Sequence, residues 1–107
     1  MYTIHMDTES LIAHARARFD HVAARRVLKE KYQARMMFAY NGGMWQAGPE
    51  LLTLLSACPD RENAVILDLY ENPIRIHVGD LELATAQRWQ EQMNAWLVEF
   101  EQTQSHR

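Results

Sequence analysis

The sequence predicts an α+β domain built in the order helix, hairpin, helix, hairpin, helix, with a small antiparallel sheet covered by helices. Two observations carry that prediction. Apolar residues recur at helical spacing near both ends of the chain. Between them the pattern repeats itself: from Gln33 to Ala57, and again from Val65 to Phe100, strand-like residues meet a tight turn, return, and lead into a helix. Tyr40 and Tyr70 lie 30 positions apart, as do Met44 and Ile74, and Leu51 and Leu81. This organisation specifies architecture, and no reaction follows from it.

The first helix is expected from Thr8 to about Lys31. Asp7 or Thr8 can accept the free backbone amides at its start, and Glu9 suits the positive end of the helix dipole. Ile12, Ala15, Phe19, Val22, Ala23 and Val27 follow at helical spacing and predict one apolar face. The next residues, Gln33 to Tyr40, include good helix formers that could prolong it. Asn41-Gly42 argues instead for a hairpin, because a two-residue reversal needs positive φ at both positions. That turn sets Phe38 opposite Trp45 and Ala39 opposite Met44, with an aromatic pair across the strands.

Gly48-Pro49-Glu50 opens a short second helix, since proline in a first turn has no amide to waste. Leu51, Leu52, Leu54 and Leu55 form its apolar face, and Pro59 ends it. In the second hairpin the regular alternation places Glu71 and Asn72 at the tip. Leu69 then faces Ile74, Leu67 faces Ile76 and Val65 faces Val78, all on the buried side, while Asp68 and Arg75 pair on the outside. Both hairpins are expected to join one sheet, because a lone hairpin is marginal in water. Leu67, Leu69, Ile74 and Ile76 would then centre the core. The last helix is expected from Asp80, as cap, to about Gln102, with residues 103–107 frayed. Leu81, Ala84, Trp89, Met93, Trp96, Leu97 and Phe100 make its stripe.

At 107 residues the chain suits a single domain over 1–107. Its 48% hydrophobic and 23% charged composition is ordinary for a globular protein. No apolar run is long enough to span a membrane, so no membrane partner is expected. Met1 to Asp7 has neither the basic nor the apolar part of a secretory signal, and Cys58 has no second cysteine to pair with, so a cytoplasmic setting is expected.

The net charge of −3 is unevenly spread. Residues 1–40 hold seven Arg or Lys against four Asp or Glu, giving +3; residues 41–107 hold four against ten, giving −6. The stripe made by Arg16, Arg18, Arg25, Arg26, Lys29, Lys31 and Arg35 could attract nucleic acid or an acidic protein, with Arg18, Arg25, Arg26 and Lys29 as the candidate contacts. The acidic total favours the plainer reading, a solvated face balancing the second half.

Chemical constellations are thin. The sequence holds no Gly-rich phosphate loop, metal-binding Cys or His-Glu-x-x-His pattern, or nucleophile elbow. His14 and His21 share a helix face and could ligate a metal with Asp20, but such a pair is more often a surface feature. Cys58 reads as a small hydrophobe at a helix end. Nothing brings Glu30 and Asp68 together as acid and base. No catalytic, cofactor or metal residue is assigned, and the reading is non-enzymatic.

The segments Asp68-Leu69-Tyr70-Glu71-Asn72-Pro73 and Gln90-Glu91-Gln92-Met93-Asn94-Ala95-Trp96 resemble small uncharacterised accessory proteins of T4-like tailed phages. So do Arg18-Phe19-Asp20-His21 and Leu28-Lys29-Glu30-Lys31-Tyr32. The resemblance implies an accessory or structural role in the infected host's cytoplasm or in the virion, and it carries no site residues.

The expected function is a non-enzymatic protein-interaction or structural module, with a nucleic-acid binder using the basic helix as the alternative. Trp89, Met93, Trp96 and Phe100 recur every three or four residues and could hold a homodimer together. The competing expectation is that Ile12, Phe19 and Val22 of the first helix cover that stripe within one chain.

Overall fold

The computed structural model describes residues 8–105. Helix α1 (Thr8–Arg35) precedes a hairpin of β1 (Met37–Tyr40) and β2 (Gly43–Gln46). Helix α2 (Pro49–Ser56), a second hairpin of β3 (Ala64–Leu67) and β4 (Pro73–Ile76), and helix α3 (Val78–Ser105) complete the chain. The fold is α+β in the expected order. The expected lack of a leader in residues 1–7, the Asp7 cap and the last two residues of the expected frayed tail lie outside the described residues.

The first hairpin has the register that its turn dictates: Phe38 pairs with Trp45 and Ala39 with Met44. Asn41 and Gly42 take φ values of 50° and 82°, as a two-residue reversal requires. Trp45 is 2% exposed, and its Nε1 donates to the Tyr40 carbonyl at 2.9 Å. α1 extends to Arg35 instead of Lys31, because Gln33, Ala34 and Arg35 continue the helix and the Met36 amide still bonds the Tyr32 carbonyl at 3.1 Å.

The second hairpin differs from expectation. Ile66 pairs with Ile74 and Ala64 with Ile76, so the loop spans Asp68 to Asn72 instead of two residues. Relative to the expected pairing the register moves by three residues. An odd shift turns β3 over, since side chains alternate between faces. Ile66 is therefore inside at 9% exposure, while Val65, Leu67 and Leu69 face outward, with Leu67 57% exposed. Asp68 does not pair with Arg75. Its Oδ1 accepts the amides of Tyr70 and Asn72 at 3.0 and 2.9 Å, and its Oδ2 accepts the Met44 amide of the other hairpin at 3.1 Å. Arg75 donates instead to Asn63 Oδ1 at 2.9 Å.

The two hairpins form separate two-stranded ribbons and not one sheet. They are joined by the Asp68–Met44 bond, by the Leu69 amide on the Met44 carbonyl at 2.7 Å, and by Asn41 Nδ2 on the Arg75 carbonyl at 2.8 Å. A common core nonetheless lies beneath both: Met36, Phe38, Trp45, Ala47, Leu55, Ile66, Ile76, Val78 and Leu81 form one cluster. Of the four residues expected at its centre, Ile76 is buried, Ile74 packs at the edge, and Leu67 and Leu69 are outside.

α3 begins at Val78, two residues before the expected Asp80 cap. His77 takes the capping position, its Nδ1 accepting the Asp80 amide at 3.1 Å. At the other end the helix continues to Ser105, three residues past the expected Gln102.

Candidate interaction surfaces

α1 and α3 pack antiparallel over part of their length. Arg88 Nη1 of α3 reaches the Arg35 carbonyl at 3.5 Å. One turn and more along, the Tyr32 ring stacks on Trp96 with centroids 5.8 Å apart, and the Tyr32 hydroxyl donates to Glu99. Lys31 Nζ lies 2.6 Å from the same carboxylate. Those donors hold the Glu99 carboxyl below its ordinary range, and the bond to Glu99, aided by burial, pushes the Tyr32 hydroxyl up.

The residues of α1 that do this packing are Leu28 and Tyr32, both buried. The expected apolar face is elsewhere. Ile12, Phe19, Val22 and Val27 are exposed, Phe19 to 69%, and every side chain from Thr8 to Asp20 is exposed. At about 100° per residue, Ala15, Phe19 and Val22 lie about 130° round the helix from Leu28 and Tyr32. Leu28 and Tyr32 thus take the seat on α3 that Ile12, Phe19 and Val22 were expected to fill.

Geometry explains why. α3 ends about six residues beyond Glu99, which brings its end opposite about residue 26 of α1. The N-terminal half of α1 therefore projects past its partner. The molecule measures 75 × 25 × 21 Å with a radius of gyration of 21.4 Å, against about 13 Å for a compact chain of this length.

The basic residues are exposed on this projecting helix and just behind it. Arg18, Arg25 and Lys29, spaced by seven and four, share one side of α1, while Arg26 points about 80° away. Of the aromatic stripe on α3, Trp89 and Met93 pack against the core and Trp96 against Tyr32. Phe100 stays half-buried, and Leu97 is 54% exposed. A groove of about 370 Å³ opens between the end of α1, the β2–α2 turn and α3, with Gln33, Gln46, Glu50, Trp89, Met93 and Trp96 among its walls. The stripe thus divides into an inner edge of Trp89, Met93 and Trp96 used by the chain itself and an outer edge, Leu97 and Phe100, left more open.

A second exposed apolar area follows from the reversed β3: Val65, Leu67, Leu69 and Tyr70 beside Leu54 of α2. Sequence reasoning missed it because it assigned that alternation to the core.

His14 and His21 lie on α1, and among the described residues no group of three or more His, Cys, Asp or Glu is arranged to hold a metal ion. Glu30 is exposed on α1, whereas Asp68 is buried and its acceptors are taken by backbone amides, which hold its carboxyl below the usual range. Cys58 is half-buried, with Sγ 3.5 Å from the Leu54 carbonyl. Among the described residues no helix is long and apolar enough to cross a membrane. No protein-family model matches the chain, and neither does any curated protein or solved structure compared with it.

Proposed function

We propose that this protein is a non-enzymatic interaction module that presents the N-terminal half of α1 to a protein partner, in the accessory or structural role that the phage resemblance implies. The observation that carries the reading is the exposed stripe of Leu11, Ile12, Phe19 and Val22 on a helix that projects beyond its own core. Helices in proteins draw most of their stability from tertiary packing of an apolar face, so a partner that covers this one would stabilise it. Apolar side chains at the centre with arginines at the rim match the composition of protein interfaces.

The test is a photo-reactive phenylalanine analogue at position 19, irradiated in cells that make the protein. The expected result is a discrete protein adduct at this position and none from an analogue at Glu71, on the far loop. Absence of any protein adduct overturns the reading.

A second reading is nucleic-acid binding, in a host cytoplasm or a virion. It is favoured by the common side of α1 shared by Arg18, Arg25 and Lys29, which suits a row of phosphates. Its sign is a steep salt dependence of binding to unrelated DNA and RNA.

A further inference from the structure

We infer that the partner of the projecting helix is a second copy of this chain, which docks the N-terminal half of its α1 on the outer edge of α3 in a reciprocal, twofold exchange. The inference rests on the interaction reading above and names its occupant.

Length is the first argument. Residues 8–25 of α1 extend about 27 Å beyond the end of α3, and the open edge of α3 from Trp89 to Ser105 has about the same length. A twofold axis set across the end of α3 brings the two together. Because α1 and α3 of one chain are antiparallel, the exchange makes α1 of one copy run parallel to α3 of the other. Ile12 then falls level with Met93, and Phe19 with Phe100. Four helices surround the axis, and each projecting half gains the support that its own chain does not give.

Area is the second. The chain exposes 7815 Å². A compact monomer of its mass exposes about 6,200 Å² on the usual scaling, so the excess is about 1,600 Å². That is about twice the 800 Å² that each partner contributes to a standard interface.

Charge is the third. Arg16, Arg18 and Arg25 flank the apolar stripe of α1, whereas α3 carries Glu91, Glu99 and Glu101 and no basic residue from Trp89 to Ser105. Glu99 is occupied by Lys31 and Tyr32, and Glu91 lies about 150° round α3 from the edge made by Leu97 and Phe100, while exposed Glu101 borders that edge. The last turn of α3 also lacks a basic residue to complement its dipole, and the exchanged Arg25 lies level with that end. Pairing two α1 helices directly would instead bring arginines together near the axis.

The experiment is sedimentation equilibrium of the full chain at micromolar concentration. The expected mass is about 25 kDa, twice the 12.5 kDa of one chain. Phe19→Asp and Leu97→Asp, each at an exposed position, should each give 12.5 kDa with helical circular dichroism of the body retained. Arg18→Glu should weaken the dimer by more than about tenfold, and adding Glu101→Lys to the same chain should restore it. A monomeric parent overturns the inference, and so does a dimer indifferent to Phe19→Asp and Leu97→Asp. Failure of the charge exchange to rescue assembly also overturns it. Photo-adducts at position 19 separate this outcome from failure of the broader reading. An adduct with a different protein removes the self-exchange and keeps the interaction role, and no protein adduct removes both. Phe19-dependent binding of the monomer to anionic vesicles or to nucleic acid assigns the stripe to that surface and overturns the exchange.

Discussion

Substitution of Gly43 should change sign according to the residue at position 45. A β-carbon built on Gly43 would lie 2.9 Å from Cζ2 of Trp45, with Cε2 and Nε1 at 3.1 and 3.2 Å. The indole has nowhere to go: it is 2% exposed, paired across the ribbon with Phe38, and tied to the Tyr40 carbonyl. Overpacking of this kind costs about 1–3 kcal/mol. Gly43 lies outside the left-handed region, so alanine meets no backbone strain there. Replacing a strand glycine by alanine in fact returns about 0.5–1 kcal/mol through the entropy of the unfolded chain. Gly43→Ala should therefore destabilise the parent by about 1 kcal/mol net.

Trp45→Phe removes the outer indole atoms and the bond to Tyr40, a loss of about 2–3 kcal/mol by itself. In that background the space beside Gly43 is open, and Gly43→Ala should now stabilise by about 0.5–1 kcal/mol. The coupling between the two sites is then about 2 kcal/mol, well above the additivity error for independent positions. Urea unfolding of the four proteins, followed by far-ultraviolet circular dichroism at one protein concentration, measures it. An equal effect of Gly43→Ala in both backgrounds would refute the contact argument.

Three further outcomes are expected. Ile66→Ala should cost about 2–4 kcal/mol and Leu67→Ala no more than about 0.5 in urea unfolding, and the reverse order would reinstate the two-residue turn. The Asp68 carboxyl is lowered by the amides of Asn72 and Met44, so its stabilisation is complete above the unfolded value and disappears as pH falls through the folded one. Asp68→Asn should thus be less stable than the parent near neutrality, with the gap closing in acid; a gap independent of pH would contradict this assignment. Under the nucleic-acid reading, Arg18→Glu with Arg25→Glu should abolish binding and its salt slope while leaving the unfolding midpoint nearly unchanged, and retained binding in a filter assay removes that reading.

What could be read in the residues follows how local each cause is. Asn41-Gly42 fixes its hairpin within four residues of chain, and the pairing of Phe38 with Trp45 follows from the turn alone. The second hairpin has no such local signal. Its loop length is decided by Asp68, whose carboxylate reaches across to Met44, and Ala64 to Leu67 is apolar throughout, so alternation does not choose a face. Periodicity in α1 correctly places Ile12, Ala15, Phe19 and Val22 on one side. It does not say whether that side meets α3, because α1 carries a second apolar side at Leu28 and Tyr32 and the relative lengths of the helices select between them. The common side of Arg18, Arg25 and Lys29 is legible from spacing alone. The division of the tryptophan stripe is not, since it depends on where Tyr32 stacks. A histidine cap at His77 gives little warning, because serine, threonine, aspartate and asparagine dominate that position.

The shared carboxylate of Asp68 has a consequence for how the molecule breathes. Amides on both ribbons end on one side chain, and the Leu69 amide ends on the Met44 carbonyl. Opening either ribbon at this point exposes protons belonging to the other. In hydrogen–deuterium exchange the amides of Met44, Leu69, Tyr70 and Asn72 should therefore share one protection factor and lose it together, although they lie in separate hairpins. Two elements that are each too small to persist alone would then open and close as a single cooperative unit.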